Sequence, residues 1–154
     1  MTEIERVRNY LQEKNPLLQI IELEDNTSTA LLAAQALGLE VGQIAKSILF
    51  KTKNEEYLMV VSAGDVRLDS KAIKELVGQR VRMANPDEVM EITGFQIGGV
   101  CPFALKRPVP IYLDESLLRY ELVYAAAGTA NTALPISFQE LIRVTGGQAC
   151  KVSA

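Results

Sequence analysis

Residues 44–63 read IAKSILFKTKNEEYLMVVSA, and this stretch decides the fold. Apolar side chains dominate residues 44–50 and again residues 57–63, with the polar turn Lys53-Asn54-Glu55 between the two runs. Short apolar runs that are joined by a tight polar turn are typical of a β-hairpin. We therefore predict two antiparallel strands here.

The segments around the hairpin carry the start and stop signals of helices. Thr2 and Glu5 form a capping box, and Asn85 and Glu88 form a second one. Glycine at a helix end fits the left-handed conformation that terminates many helices. The predicted helices begin after Thr2, after the polar cluster 26–29, after Asp69, after Asn85 and after Ser137, and the first four end at Asn15, Gly38, Gly78 and Gly94.

Further strands are predicted at residues 18–23, 81–83, 109–113 and 122–126. Helices and strands thus alternate irregularly around a hairpin, which indicates an α+β fold rather than a doubly wound one. We predict a single domain over residues 1–154, with a mixed, partly antiparallel, barrel-like β-sheet flanked by about five helices.

The composition excludes several classes of protein. Apolar residues make up 48% and charged residues 23% of the chain, as in soluble globular domains. No apolar run approaches the ~20 residues that a membrane span requires, so we expect a cytoplasmic protein with no membrane partner. The net charge of −3 does not fit a surface that coats nucleic acid, and DNA is not an expected partner.

A local basic patch is still compatible with this charge. Several cations between residues 67 and 107 could form a basic rim, although scattered surface charge is the more usual explanation for such a set. They are Arg67, Lys71, Lys74, Arg80, Arg82, Lys106 and Arg107.

The absence of histidine is the strongest restriction on chemistry. It removes serine–histidine and cysteine–histidine nucleophile pairs, histidine-ligated metal sites and the commonest general base at neutral pH. The two cysteines, Cys101 and Cys150, lie too far apart for a CxxC motif. We expect no metal and no cofactor, and an enzyme of this composition would use lysine, carboxylates, hydroxyls, a thiol or its own backbone.

Lys46 is the first unusual residue. Alternate residues of a strand share a face, so Lys46 projects together with the apolar residues Ile44, Ile48 and Phe50. A lysine in such a row either extends its ammonium group to water at the sheet margin or points into a cavity. Ser47 lies on the opposite face, where a small packing residue is a simpler interpretation than a nucleophile.

The loop Gly98-Gly99-Val100-Cys101-Pro102 is the second unusual feature. Paired glycines allow close backbone approach, and successive N–H groups of such a loop can converge on an oxyanion or phosphate. A plain turn explains the pattern equally well. Cys101 has no evident activator for a catalytic thiolate, and Gly128 is either a second close-approach glycine or a simple turn.

Taken together and in order, these segments resemble the YbaK/ProX family of aminoacyl-tRNA editing domains, a domain also inserted in bacterial prolyl-tRNA synthetases. The resemblance covers about residues 20–145, and the lysine strand and the Gly98–Pro102 loop are its specific parts. The matching segments are Thr29-Ala30, Ala33-Ala34, Leu37-Gly38, residues 43–48, residues 61–65, Thr93-Gly94-Phe95, residues 98–102 and Ala126-Ala127-Gly128.

The resemblance implies an aminoacyl-tRNA deacylase. Such an enzyme hydrolyses the ester of a mischarged tRNA in trans, here of tRNA(Pro) or another tRNA that carries a small wrong amino acid. The implied partners are the acceptor end of that tRNA and an aminoacyl-tRNA synthetase. Ser47 stands where alanine-specific branches carry asparagine, and the missing histidine departs from branches with one in the pocket. The chain therefore lacks the alanine-specific pattern, and the resemblance leaves the amino acid open.

The resemblance also implies roles for particular residues. We expect Lys46 to hold the ester or the terminal phosphate, and the amides of Gly99, Val100 and Cys101, framed by Gly98 and Pro102, to stabilise the oxyanion. The other residues expected to bind substrate are Thr29, Ile44, Ser47, Gly64, Asp65, Phe95 and Gly128. The alternatives are a non-catalytic module that binds aminoacyl-tRNA or a nucleotide, and a cysteine-dependent enzyme.

Overall fold

Eight strands and five α-helices make up the structure, a computed structural model that describes residues 1–154. The strands are β1 (Ile21–Glu22), β2 (Ile44–Thr52), β3 (Tyr57–Ala63), β4 (Val81–Met83), β5 (Ile111–Asp114), β6 (Val123–Ala125), β7 (Thr132–Ile136) and β8 (Gln148–Cys150). The helices are α1 (Glu3–Lys14), α2 (Ala30–Leu37), α3 (Ser70–Val77), α4 (Pro86–Thr93) and α5 (Phe138–Thr145). Short 3₁₀ turns occupy Val41–Gln43 and Glu115–Arg119.

The strands form one mixed sheet in the order β1-β7-β6-β2-β3-β5-β8, and β4 pairs with β2 outside this path. The predicted hairpin β2–β3 is antiparallel, whereas β2–β6, β3–β5 and β5–β8 are parallel. The α+β class, the mixed sheet and the five helices are therefore confirmed. The end strands β1 and β8 do not pair with each other, so the sheet is open and does not close as a barrel would.

One edge of β2 is divided between two short strands. β6 pairs only with Ile44 and Ala45, at the beginning of β2, and β4 pairs only with residues 50–52, at its end. Residues 46–48 have β3 on one side and no strand on the other. The hairpin thus carries a gap in its hydrogen-bonded edge, and the walls of this gap come from the segments that pack around it.

Helices cover both faces of β2. On the face that includes Ile44, α2 packs through Ala33 and Ala34, and further along α3 packs through Ile73. On the face that includes Leu49, α4 packs through Val89 and Ile92. No helix is both long enough and apolar enough to cross a bilayer.

The helix starts agree with the prediction, because each depends on a local side-chain cap. Thr2 and Asn85 form their capping boxes, and Asp69 and Ser137 cap α3 and α5. The strand predicted at 18–23 is reduced to Ile21–Glu22, and the one predicted at 109–113 begins only at Ile111. Strands β7 and β8 were not predicted.

Asp114, at the end of β5, fixes the chain terminus to the sheet. Its side chain is fully buried and accepts hydrogen bonds from the backbone N–H groups of Val152 (2.7 Å), Ser116 (3.0 Å) and Ser153 (3.1 Å). Burial by itself raises the pKa of a carboxyl group, but these hydrogen bonds outweigh it and hold the pKa of Asp114 below its usual value.

The substitution Asp114→Ala leaves these three N–H groups without their acceptor. An unpaired buried donor costs about 1–3 kcal/mol, so we expect the free energy of unfolding at pH 7 to fall by about 3 kcal/mol. Asp114→Asn, which keeps a side-chain acceptor, should lose less. Chemical denaturation measures both, and an alanine variant as stable as the wild type would contradict this role.

The same carboxylate gives stability a defined pH dependence. Because the pKa is lower in the folded than in the unfolded chain, the stabilisation is complete at neutral pH. It is lost as the pH falls from the unfolded value, about 3.9, through the folded pKa. The difference in stability between wild type and Asp114→Ala should therefore shrink over this range.

Candidate active site

A cavity of about 340 Å³ opens at the gap in the edge of β2. Its walls come from β2, α2, the segments before and after α4, and the strands β6 and β7. The lining residues are Thr27–Ala30, Ala33, Leu37, Ile44–Leu49, Met83, Ala84, Val89, Ile97, Gly98, Val100, Tyr124–Ala126, Thr132 and Ala133. Most of these side chains are apolar, and small-molecule sites commonly combine such walls with a few polar groups.

Lys46 is the only charged residue on this wall. Its side chain is half-buried and forms neither an ion pair nor a hydrogen bond with the protein. A cation beside an apolar surface without a counter-ion favours the binding of an anion or a strongly polar oxygen. Of the two interpretations of Lys46, the structure supports the one in which it faces a cavity.

Ser47 also lines the cavity, although it lies on the opposite face of β2 from Lys46. Both can do so because the cavity wraps around the unpaired edge of the strand. The Ser47 hydroxyl is buried and has no hydrogen-bond partner. An unpaired buried hydroxyl is unfavourable, and a polar group in the cavity would satisfy it.

Gly98 and Val100 place the glycine loop on the same cavity as Lys46. Gly98 has a φ of +99°, in the left-handed region, and a Cβ there would lie 2.9 Å from the Cβ of Ser28. The N–H groups of Gly98 and Val100 donate to no protein acceptor, whereas the Gly99 N–H donates to the carbonyl of Gln96 (3.0 Å). The Gly99 amide is thus already used within the loop, and this structure does not favour its predicted role as an oxyanion donor.

Gly99 has a different function, which is close packing against the Gly128 bend. A Cβ on Gly99 would lie 2.6 Å from the Gly128 carbonyl oxygen, and the Gly128 N–H donates to the Gly99 carbonyl (3.1 Å). The bend in turn lies on the start of α1, since a Cβ on Gly128 would lie 3.1 Å from the Glu3 carbonyl oxygen. The Gly128 bend therefore packs against the glycine loop, and the start of α1 packs against the bend.

Cys101 and Pro102 do not line the cavity, so the Cys101 amide, a predicted oxyanion donor, is not on its wall. Both are buried, and the Cys101 thiol lies 3.7 Å from the Phe103 carbonyl oxygen. Burial raises the pKa of Cys101 to about 12, so the thiol is protonated at neutral pH. The surroundings of Cys101 do not favour a nucleophilic thiolate.

The remaining predicted binding residues divide into two groups. Thr29 and Ile44 line the cavity, and Thr29 also caps α2 by accepting a hydrogen bond from the Leu32 N–H (3.1 Å). Phe95 does not line the cavity, because it is buried in the core. The Arg6 guanidinium carbon lies over its ring, 4.4 Å from the ring centre. Gly64, Asp65 and Gly128 are likewise absent from the wall.

Gly64 and Asp65 follow β3 and contact neighbouring segments, but they do not themselves line the cavity. A Cβ on Gly64 would lie 2.8 Å from the Cβ of Ala30, so this glycine lets α2 approach the end of β3. Asp65 accepts a hydrogen bond from Arg119 (3.0 Å), and this contact lowers the pKa of the carboxyl group.

Several lining residues were not predicted. Ala125 and Ala126 give the wall its depth, since their side chains leave space beside β2. Met83 and Ile97 are apolar side chains on the wall that remain 63% and 62% exposed. Apolar side chains this exposed often mark binding surfaces, but exposure cannot be read from the sequence.

The sequence and the fold match those of known proteins. The family model of the aminoacyl-tRNA editing domain matches residues 24–144. A crystal structure described as "a putative trans-editing enzyme for prolyl tRNA synthetase" superposes with a TM-score of 0.93 at 40% identity, covering 100% of this chain and 98% of that one.

Two curated relatives extend the comparison. The uncharacterized protein YwhH of Bacillus subtilis is 36% identical over 138 residues, which are 90% of this chain and 88% of that protein. The "Putative Cys-tRNA(Pro)/Cys-tRNA(Cys) deacylase EbsC" of Enterococcus faecalis is 27% identical over 131 residues, covering 84% and 79% of the two chains. The family match spans the lysine strand, the glycine loop and the cavity between them, and the chain belongs to the aminoacyl-tRNA editing domain family.

Proposed function

We propose that this protein is an aminoacyl-tRNA deacylase that hydrolyses the ester of a mischarged tRNA in trans. The observation that carries the proposal is the unpartnered ammonium group of Lys46, the only charge on a cavity that the Gly98–Val100 loop also lines. The family membership supports the same substrate class. The names of two similar proteins, a deacylase and a trans-editing enzyme for prolyl-tRNA synthetase, favour tRNA(Pro) as substrate and a synthetase as partner.

In the proposed reaction, water or the vicinal ribose hydroxyl attacks the carbonyl carbon of the ester. The bond to the ribose oxygen then breaks, and that oxygen takes up a proton. If the ribose hydroxyl attacks, water hydrolyses the resulting ester in the same way. The net reaction consumes one water and releases the free amino acid and the tRNA, so it needs neither a metal nor a cofactor.

The two sides of the cavity have separate tasks in this mechanism. Lys46 binds the ester or the terminal phosphate through charge-assisted hydrogen bonds, which are the stronger kind. The unpaired N–H groups of Gly98 and Val100 stabilise the developing oxyanion, and one such donor contributes on the order of 10²–10³ in rate. An aminoacyl ester is already activated, so positioning accounts for much of the remaining acceleration.

Ser47 is the proposed specificity contact. Its buried hydroxyl has no protein partner and lies on a wall that also includes the small apolar residues Ala45 and Ala125. Such a site fits a small amino acid whose side chain carries a hydroxyl or thiol.

We expect Lys46→Ala to lower kcat/KM for deacylation of a mischarged tRNA by about 100-fold, because the charged contact to the substrate is lost. The melting temperature should not change, since Lys46 has no ion pair to lose. Deacylation of a panel of mischarged tRNAs, with small amino acids on tRNA(Pro) first, measures the effect.

The matched control is Lys71→Ala, which removes an exposed lysine of α3 that does not line the cavity. It should deacylate like the wild type. Full activity of the Lys46 variant would refute the assignment. A wild-type protein that protects the ester instead of clearing it would identify a non-catalytic binding module.

Ser47→Ala tests the specificity contact. Loss of one hydrogen bond in a closed site costs about 1–3 kcal/mol, so we expect kcat/KM for serine- or cysteine-charged tRNA to fall by roughly 10-fold or more. Alanine-charged tRNA, which offers no side-chain partner, should be affected little. Equal losses on all three substrates would show that Ser47 does not distinguish them.

Gly99→Ala tests the support of the loop. The new Cβ would lie 2.6 Å from the Gly128 carbonyl oxygen and must push the loop towards the cavity. A displacement of about 1 Å near reacting atoms can cost 10²-fold, so kcat/KM should fall by at least 10-fold.

Gly146→Ala is the control for a general loss of stability. Gly146 has a φ of +68° but no atom near its added Cβ, and it does not line the cavity. Alanine there costs about 1–2 kcal/mol of stability through backbone strain alone. Activity should survive this change, and a similar fall in both variants would attribute the effect of Gly99→Ala to stability instead of loop position.

A further inference from the structure

Four cations lie together where β2 ends beside β4, and we call them the basic ladder: Lys51, Lys53, Arg80 and Arg82. They line a second, polar depression of about 370 Å³ together with Thr52, Val81 and Glu55, whose carboxylate lies 4.0 Å from Lys51 Nζ. Lys51 is paired with Arg82 across the two strands, and the Lys53 N–H donates to the Arg80 carbonyl (3.0 Å). The four residues thus form two successive facing pairs of like charge, Lys51 with Arg82 and, just beyond the ends of the two strands, Lys53 with Arg80.

Like charges placed directly opposite each other destabilise a sheet. In the first pair the repulsion is relieved, because a Glu88 carboxylate oxygen lies 2.9 Å from Lys51 Nζ and the other lies 2.9 Å from Arg82 Nη1. The second pair, Lys53 and Arg80, has no carboxylate within ion-pair distance, and both side chains are exposed. An anion from outside the protein would relieve this repulsion.

The ladder lies on and directly beside two strands, β2 and β4, that also contribute residues to the active-site cavity. Lys53, the residue directly after β2, follows Lys46 by seven residues, which corresponds to about 23 Å at the rise of an extended strand. On β4, Arg82 directly precedes Met83, which lines the cavity. A polyanion whose end occupies the cavity would therefore reach the ladder with phosphates several nucleotides from that end.

We propose that the basic ladder binds backbone phosphates of the tRNA acceptor stem while the aminoacylated end occupies the cavity, an inference that rests on the proposed function. Lys53 and Arg80 make the phosphate contacts, and Lys51 and Arg82 with Glu88 hold the two strands in register. Such contacts are independent of sequence and weaken with salt. A footprint of this size is consistent with a chain whose net charge is −3.

The test compares the double variant Lys53→Ala/Arg80→Ala with the control Arg67→Ala/Lys71→Ala. Each double variant removes one lysine and one arginine that are exposed and have no ion-pair partner, and the control residues line neither cavity. Steady-state deacylation of a mischarged tRNA gives kcat and KM. A salt titration of the binding of uncharged tRNA gives the slope of log affinity against log salt without any turnover.

For the ladder variant we expect KM to rise about 10-fold with kcat unchanged, and the salt slope to fall by about 2, roughly one for each phosphate contact removed. The control variant should behave like the wild type. KM and salt slope equal to those of the control would overturn the ladder proposal. A wild-type protein that binds tRNA with the predicted slope but hydrolyses no mischarged tRNA would overturn the proposed function and leave the ladder intact.

Discussion

The site depends on the way in which β2 shares its edge between two strands that are both too short to fill it. β6 pairs with the first two residues of β2 and β4 with the last three. The backbone between them cannot complete its ladder, and the side chains of both faces reach the same opening. A continuous neighbour along β2 would bury Lys46 and Ser47 in separate layers, and no common cavity would exist.

Strand β2 also connects the two groups of positive charge that face the proposed substrate, Lys46 at the cavity and the basic ladder at the end of the strand. Along β2 the chain passes from a single unpaired cation at the cavity to a group of four beyond it, although the molecule as a whole is acidic. Coulomb interactions in water decay within about 10 Å at moderate salt, so the sign of the local group matters more to a bound phosphate than the net charge. A local group of cations can therefore attract a phosphate although the protein as a whole is acidic.

Much of the fold could be predicted from the sequence because its signals are local. The caps at Thr2, Asp69, Asn85 and Ser137 involve residues within three positions of each other, and all of them form. β7 was not predicted because Pro135 interrupts an otherwise apolar run. β8 was missed because its three residues become a strand only by pairing with β5.

The site could be predicted only in part, for a physical reason. The position of Lys46 and the glycine loop on one cavity agrees with the expectation drawn from the family resemblance. Whether a particular amide is free, as at Val100, or used within the loop, as at Gly99, depends on a turn of a few residues whose geometry the sequence does not specify. The unpaired hydroxyl of Ser47 likewise arises from its neighbours across the fold and not from its neighbours in the chain.

Through the contact between Glu3 and the Gly128 bend, the first helix supports the glycine loop. Residues 3–14 lie outside the segment that defines the family, yet their first turn is the surface on which the bend behind the glycine loop rests. A chain that began at residue 24 would contain Lys46 and the glycine loop but would lack this contact between α1 and the Gly128 bend. The residues that support the site therefore extend beyond residues 24–144, the segment by which the family is recognised.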